Sequence, residues 1–233
     1  MRNPILILLL VSFRISVAQN ASESPPAQAP SYSLEEYRPG KWPRFIEYRN
    51  KVNDVKGAQK MTYYGVDLTY LVLTDHEKFG QEEDLKRYIL PWALEFNNKV
   101  DANKISKFFS RYNSAFQLKT SINTTADINK NKTGDWISLD AFELPTSKLM
   151  NHVESYDLKE TEGVGFVIIA ENFNKETARA SVFYTFFDIR TREILWAVKI
   201  KMAPVGVGMT NYWVGGMVDC WIEFKQHVYP GKM

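Results

Sequence analysis

Two hydrophobic periods alternate along this chain, and each change of period marks an element. From Met61 to Thr74 the chain is rich in Tyr, Val, Leu and Thr and holds no proline, which predicts a long first strand. Between Glu82 and Val100 the apolar residues Leu85, Ile89, Trp92, Phe96 and Val100 recur at helical spacing, with Glu82, Glu83 and Asp84 suited to a helix start. Pro91 either kinks that helix or begins a second one. Ile105, Phe108 and Phe109 predict a shorter helix. The stretch from Asn123 to Asp135, full of Asn, Lys, Thr and Asp, reads as an exposed excursion with one weak strand near Ile128.

The second half is more regular. A helix from Pro145 to Ser155 buries Leu149, Met150 and Val153, and strands follow at Gly165 to Glu171, Ala178 to Ile189 and Glu193 to Met202. The middle strand is apolar on both faces, Val182, Tyr184 and Phe186 on one and Phe183, Phe187 and Ile189 on the other, which predicts a central strand covered twice. In the last, Ile194, Trp196, Val198, Ile200 and Met202 share a face while Lys199 and Lys201 point away, as in a half-exposed strand with lysines blunting an edge. A final helix runs from about Thr210 to Val228, capped by Thr210 or Asn211, and Gly215-Gly216 within it permits close approach to a sheet or a partner. The order predicts a single α/β or α+β domain, a mixed β-sheet covered by helices, ending in a β-β-β-α unit.

The N-terminal residues break both periods. Arg2 precedes the apolar run Ile5 to Val11, and Ser16-Val17-Ala18 supplies small residues two apart, so residues 1–18 read as a secretory signal peptide. That run is too short to span a bilayer, which needs about 20 residues. Residues 19–43 form a Pro/Ala/Ser-rich tether, since such a composition cannot bury enough apolar area to offset its ordering entropy. Residues 44–233 are left as the globular domain.

Composition and charge narrow the function classes. The formal charge of +2 includes Arg2 and Arg14, so a chain cleaved after Ala18 is neutral and lacks the electrostatic footprint of a nucleic-acid binder. One cysteine, Cys220, cannot form an internal disulfide, and its apolar neighbours mark it as a core residue. The aromatic fraction of 14% favours a large core or contact surface.

No catalytic, zinc, phosphate-loop or dinucleotide motif is present in the sequence, and neither a metal site nor a cofactor is expected. The strongest catalytic candidate is His76 between Asp75 and Glu77, at the end of the first strand, where α/β sheets often bind ligands and a His beside carboxylates can act as a base. His152 and His227 lie on other elements. A candidate ligand site is Gly206, Gly208 and Asn211 ahead of the last helix, with Tyr212 and Trp213 able to stack on a sugar. Met217, Trp221 and Phe224 on that helix are candidate interface residues, because its apolar positions exceed one narrow stripe.

The stretch Gly163-Val164-Gly165-Phe166-Val167-Ile168-Ile169, then Phe186-Phe187-Asp188-Ile189-Arg190-Thr191-Arg192-Glu193-Ile194-Leu195-Trp196 and a last apolar helix, resembles two groups of proteins. One is a set of uncharacterised exported proteins of Bacteroidetes with a similar hairpin and an asparagine-tyrosine-tryptophan turn. The other, more remote, is the envelope assembly fold shared by curli-secretion-channel-like lipoproteins and the N-terminal domain of TolB. The resemblance covers the C-terminal third of the chain, implies a role in the cell envelope, and carries over no functional residue.

The leading expectation is therefore an exported, non-enzymatic cell-envelope protein, periplasmic or extracellular, that binds or helps to assemble an envelope protein or a second copy of itself. The alternatives are an exported hydrolase using His76 and a small-ligand or sugar-binding module.

Overall fold

One long strand organises the sheet. The computed structural model describes residues 45–74, 82–132, 136–140 and 142–230, all within the second of two units, Met1–Ser31 and Tyr32–Met233. Along the chain run β1 (Phe45–Arg49), α1 (Val52–Gly57), β2 (Lys60–Asp67), β3 (Val72–Thr74), α2 (Glu82–Lys99), α3 (Ala102–Phe109), β4 (Gln117–Thr120) and α4 (Asn123–Lys130). Then come β5 (Ile137–Ser138), α5 (Thr146–Glu154), β6 (Val164–Asn174), β7 (Arg179–Asp188), β8 (Ile194–Met202) and α6 (Met209–Glu223), which passes into a π-helical turn, Phe224–Val228. The described strands form one mixed sheet in the order β1-β8-β7-β6-β2-β4, with β3 paired to β6 and β5. Among the described residues six α-helices accompany it, as an α+β fold requires.

β6 is buried along its whole length. β7 pairs with it antiparallel on one edge. On its other edge β2 and β3 follow one another in parallel, β2 from Met61↔Val164 to Asp67↔Ile169 and β3 from Val72↔Asn172 to Thr74↔Asn174. The predicted single strand over 61–74 is thus two strands interrupted at residues 68–71.

The sheet has an apolar cluster on each face. The larger packs Phe166, Val182, Tyr184 and Phe186 against α2, α3 and α6. The smaller sets Val167, Ile169, Phe183, Phe187 and Ile189 against Leu149 and Val153 of α5. The two-faced reading of β7 therefore holds residue by residue. The aromatic abundance is spent inside: Phe166 stacks on Phe186 at 4.6 Å and Trp213 on Phe173 at 5.0 Å, pairs worth about 0.5–1.5 kcal/mol each beyond their burial.

Four expectations are corrected. β8 is not an edge, because β1, unpredicted from sequence, pairs with it from Phe45↔Ile200 to Arg49↔Trp196. Lys199 is accordingly buried and meets the buried Glu171 at 3.1 Å. Ile194 leaves the face of Trp196 for the opposite one, because an irregularity in the β7–β8 register pairs Phe186 with Trp196 but Phe187 with Ile194. The polar excursion at 123–135 contains the helix α4. Finally, α6 has Gly208 at its N-cap with no side-chain cap, so neither Thr210 nor Asn211 serves there.

α2 runs unbroken through Pro91. Both Pro91 and Arg87 are exposed, so the carbonyl that loses its partner lies on the solvent side of the helix. Along α6, the close approach to the sheet expected of Gly215 and Gly216 comes from Gly216, at Ala180 of β7, whereas Gly215 lies against the loop that precedes the helix. A methyl group on Gly215 would collide with the Val205 carbonyl oxygen.

Candidate functional site

The end of β2 is where the fold gathers polar groups. Gly65 adopts φ +89, and a Cβ there would sit 3.0 Å from Thr125 Oγ1, so only glycine lets α4 lie this close. The Thr125 hydroxyl donates to the Tyr64 carbonyl, and the Asn129 side chain donates to Val66 O (2.9 Å) and accepts from Leu68 N–H (2.6 Å). Two polar residues of α4 thus complete the backbone hydrogen bonds of an irregular strand end. The Lys132 ammonium holds the following loop by donating to Thr69 O (2.6 Å) and Leu71 O (3.1 Å), and lies over the Trp136 ring at 4.5 Å.

At this fixed end stands Asp67, fully buried. Its Oδ1 accepts the Thr69 N–H (2.7 Å), and its Oδ2 accepts from His152 Nε2 (2.7 Å) and from the Tyr156 hydroxyl (2.6 Å). Burial alone raises the pKa of a carboxyl group. Here the hydrogen bond and positive character of His152, with the donors of Thr69 and Tyr156, outweigh it and hold Asp67 below the ordinary range. An ionised Asp67 accepts only, so Nε2 is the donor of this pair and Nδ1 is the ring nitrogen that Asp67 does not engage. Burial and the Asp67 charge push Tyr156 well above the usual phenol value, so it remains a donor.

His152 lies in the last turn of α5 and Tyr156 just beyond the helix end, and both are buried. The Tyr70 ring packs edge-on against His152 at 4.8 Å, and Tyr156 does so at 4.9 Å. Ser155 donates its hydroxyl to the His152 carbonyl at 2.7 Å, so it closes the helix and is not presented to the imidazole.

Above His152 and Tyr156 opens a cleft of about 860 Å³. One wall is the β4–α4 turn with Thr120, Ser121, Asn123 and Thr124; Asp127 and Asn131 extend it along α4. β2 and β4 run parallel and both end here, so the cleft lies beyond strand C-termini, where open α/β sheets place their ligands. The lining is mostly hydroxyl and amide, with Asp127 and Asp157 balanced by Lys132 and Lys159.

The residues singled out from sequence fall elsewhere. Asp75, His76 and Glu77 lie outside the described residues. Trp213 is fully buried against Phe173, so its faces are not open to a sugar. Tyr212 packs edge-on to it. Gly206 and Gly208 have positive φ and shape the entry to α6, where a Cβ on Gly206 would lie 2.7 Å from Asn211 O. Met217, Trp221 and Phe224 are buried in this chain's own core and offer no surface to a partner. Cys220 is buried as expected, and burial raises its thiol pKa far above the ordinary value. The described residues contain no group of His, Cys, Asp and Glu able to hold a metal ion.

Sequence reasoning pointed to the end of a strand but passed over His152. The missed signal was its place on the apolar side of an amphipathic helix, beside Leu149 and Val153. A histidine there needs a buried polar partner, and an aspartate ending a strand is the natural one.

Among the described residues, no helix is long and apolar enough to cross a membrane. Compared with known proteins, the chain matches no family model, no curated protein and no solved structure.

Proposed function

We propose that this chain is an exported, non-enzymatic binding domain that takes a small, hydroxyl-rich ligand of the sugar class into the cleft above His152. The observation that carries this reading is the cleft itself: hydroxyls and amides at the C-terminal ends of parallel strands, over an imidazole fixed by a buried carboxylate. Groups held in this way meet a polar ligand without reorganising, which is what binding such a ligand requires. Export is supported by the pattern of residues 1–18. An envelope-protein partner engaged through the last helix has less support, since Met217, Trp221 and Phe224 face inward.

The Asp67–His152 distance of 2.7 Å favours one second reading, hydrolysis with His152 as the base. No serine, threonine or cysteine hydroxyl or thiol is hydrogen-bonded to the His152 imidazole among the described residues, which argues for binding over covalent catalysis. Calorimetric titration of the full chain with a panel of mono- and disaccharides, and of glycosides and esters for turnover, separates the two. Binding without turnover, lost in Asn131→Ala and His152→Gln, is expected. Turnover lost in His152→Gln establishes the hydrolase, and a flat response across both panels removes both readings.

A further inference from the structure

A second cleft, of about 320 Å³, lies between α3 and α6. Phe108, Val218 and Trp221 form its floor. Around it stand Lys99, Lys104, Lys107, Arg111 and Lys225, and no carboxylate lines it. Lys104 and Lys107 stand at i and i+3 on α3, Arg111 follows in the turn that ends it, and Lys225 lies one turn beyond Trp221.

Lys99 is paired with Glu95 at 3.4 Å and Lys104 with Asp101 at 3.6 Å. Lys107, Arg111 and Lys225 have no ion pair among the described residues. Lys225 lies over the Trp221 ring at 5.5 Å, where burial, then Arg111 and Lys104, lower its pKa. Gathering like charges over an apolar floor costs stability in the free protein, and a bound anion offsets that cost.

We propose that this cleft binds a phosphate or sulfate ester group. The planar fork of Arg111 and the point charges of the lysines suit an oxyanion with three free oxygens, more than one carboxylate presents. Ile222, the exposed apolar residue among those lining the cleft, supplies apolar surface for the group that bears the ester. The ester has two possible sources, a soluble phosphorylated molecule or a phospholipid headgroup, with the same chemistry at the cleft.

The test uses the full chain at low salt. Inorganic pyrophosphate is titrated with tryptophan fluorescence and calorimetry as readouts. In a parallel arm the protein is sedimented with phosphatidylcholine vesicles with and without phosphatidic acid. Saturable pyrophosphate binding, or sedimentation that needs phosphatidic acid, is expected; the former assigns a soluble ester and the latter alone a headgroup. Lys107→Gln/Arg111→Gln, confirmed folded by circular dichroism, weakens either by about tenfold or more for each cation neutralised. Lys130→Gln, on α4 and outside this cleft, leaves both unchanged. The proposal is overturned if neither probe binds, if the double variant binds as the parent does, or if citrate binds as tightly as pyrophosphate.

Discussion

Gly216 of α6 lies so close to Ala180 of β7 that a methyl group on the glycine would come within 2.9 Å of the alanine Cβ, and as near to the Cβ of Pro204. The helix therefore meets the alanine side chain of the sheet with no room for a side chain of its own at this point. Gly216→Ala is expected to lower stability by about 1–3 kcal/mol through overpacking, read as a shift in urea midpoint at unchanged slope. A variant as stable as the parent would mean that α6 can lift off the sheet at little cost.

The depressed pKa of Asp67 sets the sign of a pH effect. A carboxyl group whose folded pKa lies below its unfolded value, about 3.9, stabilises the fold above that value and loses the contribution as pH falls through the folded pKa. Stability measured by urea unfolding should fall on acidification below about pH 4. In Asp67→Asn the acid decline should be shallower and the neutral-pH stability lower. Parallel declines in the two proteins would show that the Asp67 pair does not contribute to acid sensitivity.

Glu171 and Lys199 form a buried ion pair inside the sheet, and Glu171 also accepts from Leu144 N–H (2.7 Å) and from the Ser181 hydroxyl. Lys199→Met strands a buried carboxylate and is expected to cost about 3–5 kcal/mol. Adding Glu171→Gln removes the charge; the amide oxygen still accepts from Leu144 N–H, and the amide NH2 donates to the Ser181 hydroxyl, which turns to accept. The double variant should therefore be more stable than Lys199→Met alone, and a double variant that is less stable would refute this account.

Asn129 bridges Val66 and Leu68 across the irregular end of β2. Asn129→Leu leaves a buried carbonyl and a buried N–H without partners, at a cost of about 1–3 kcal/mol each. Amide exchange at Leu68 should accelerate first, while that at Ile168 and Tyr184 follows global unfolding. Uniform acceleration would place Asn129 in the global core instead of at a local clasp.

What was legible in the sequence depended on whether burial was apolar. β7 could be read face by face because Val182, Tyr184 and Phe186 on one side and Phe183 and Phe187 on the other outweigh the buried Ser181 and Thr185 among its inward positions. α4 could not, because the residues it buries are Thr125 and Asn129 and its other positions look like a loop. β1 is five residues beside a proline-rich stretch, and its pairing with β8 is a long-range event that no local pattern announces. The same holds for the candidate site. Asp67 and His152 are 85 residues apart, and only the parallel docking of β2 on β6 brings the strand end to α5.

The separate seating of β2 and β3 on one edge of β6 has a consequence for how such a domain can diversify. Each short strand keeps its own register against the same long template. Residues can thus be inserted between Thr69 and Tyr70, which are less buried than the core residues Leu68 and Leu71 on either side, without sliding either strand or turning an inward side chain outward. The rim of the cleft is free to change while the sheet beneath it stays as it is, so affinity can drift across relatives or be engineered by loop exchange with the scaffold intact.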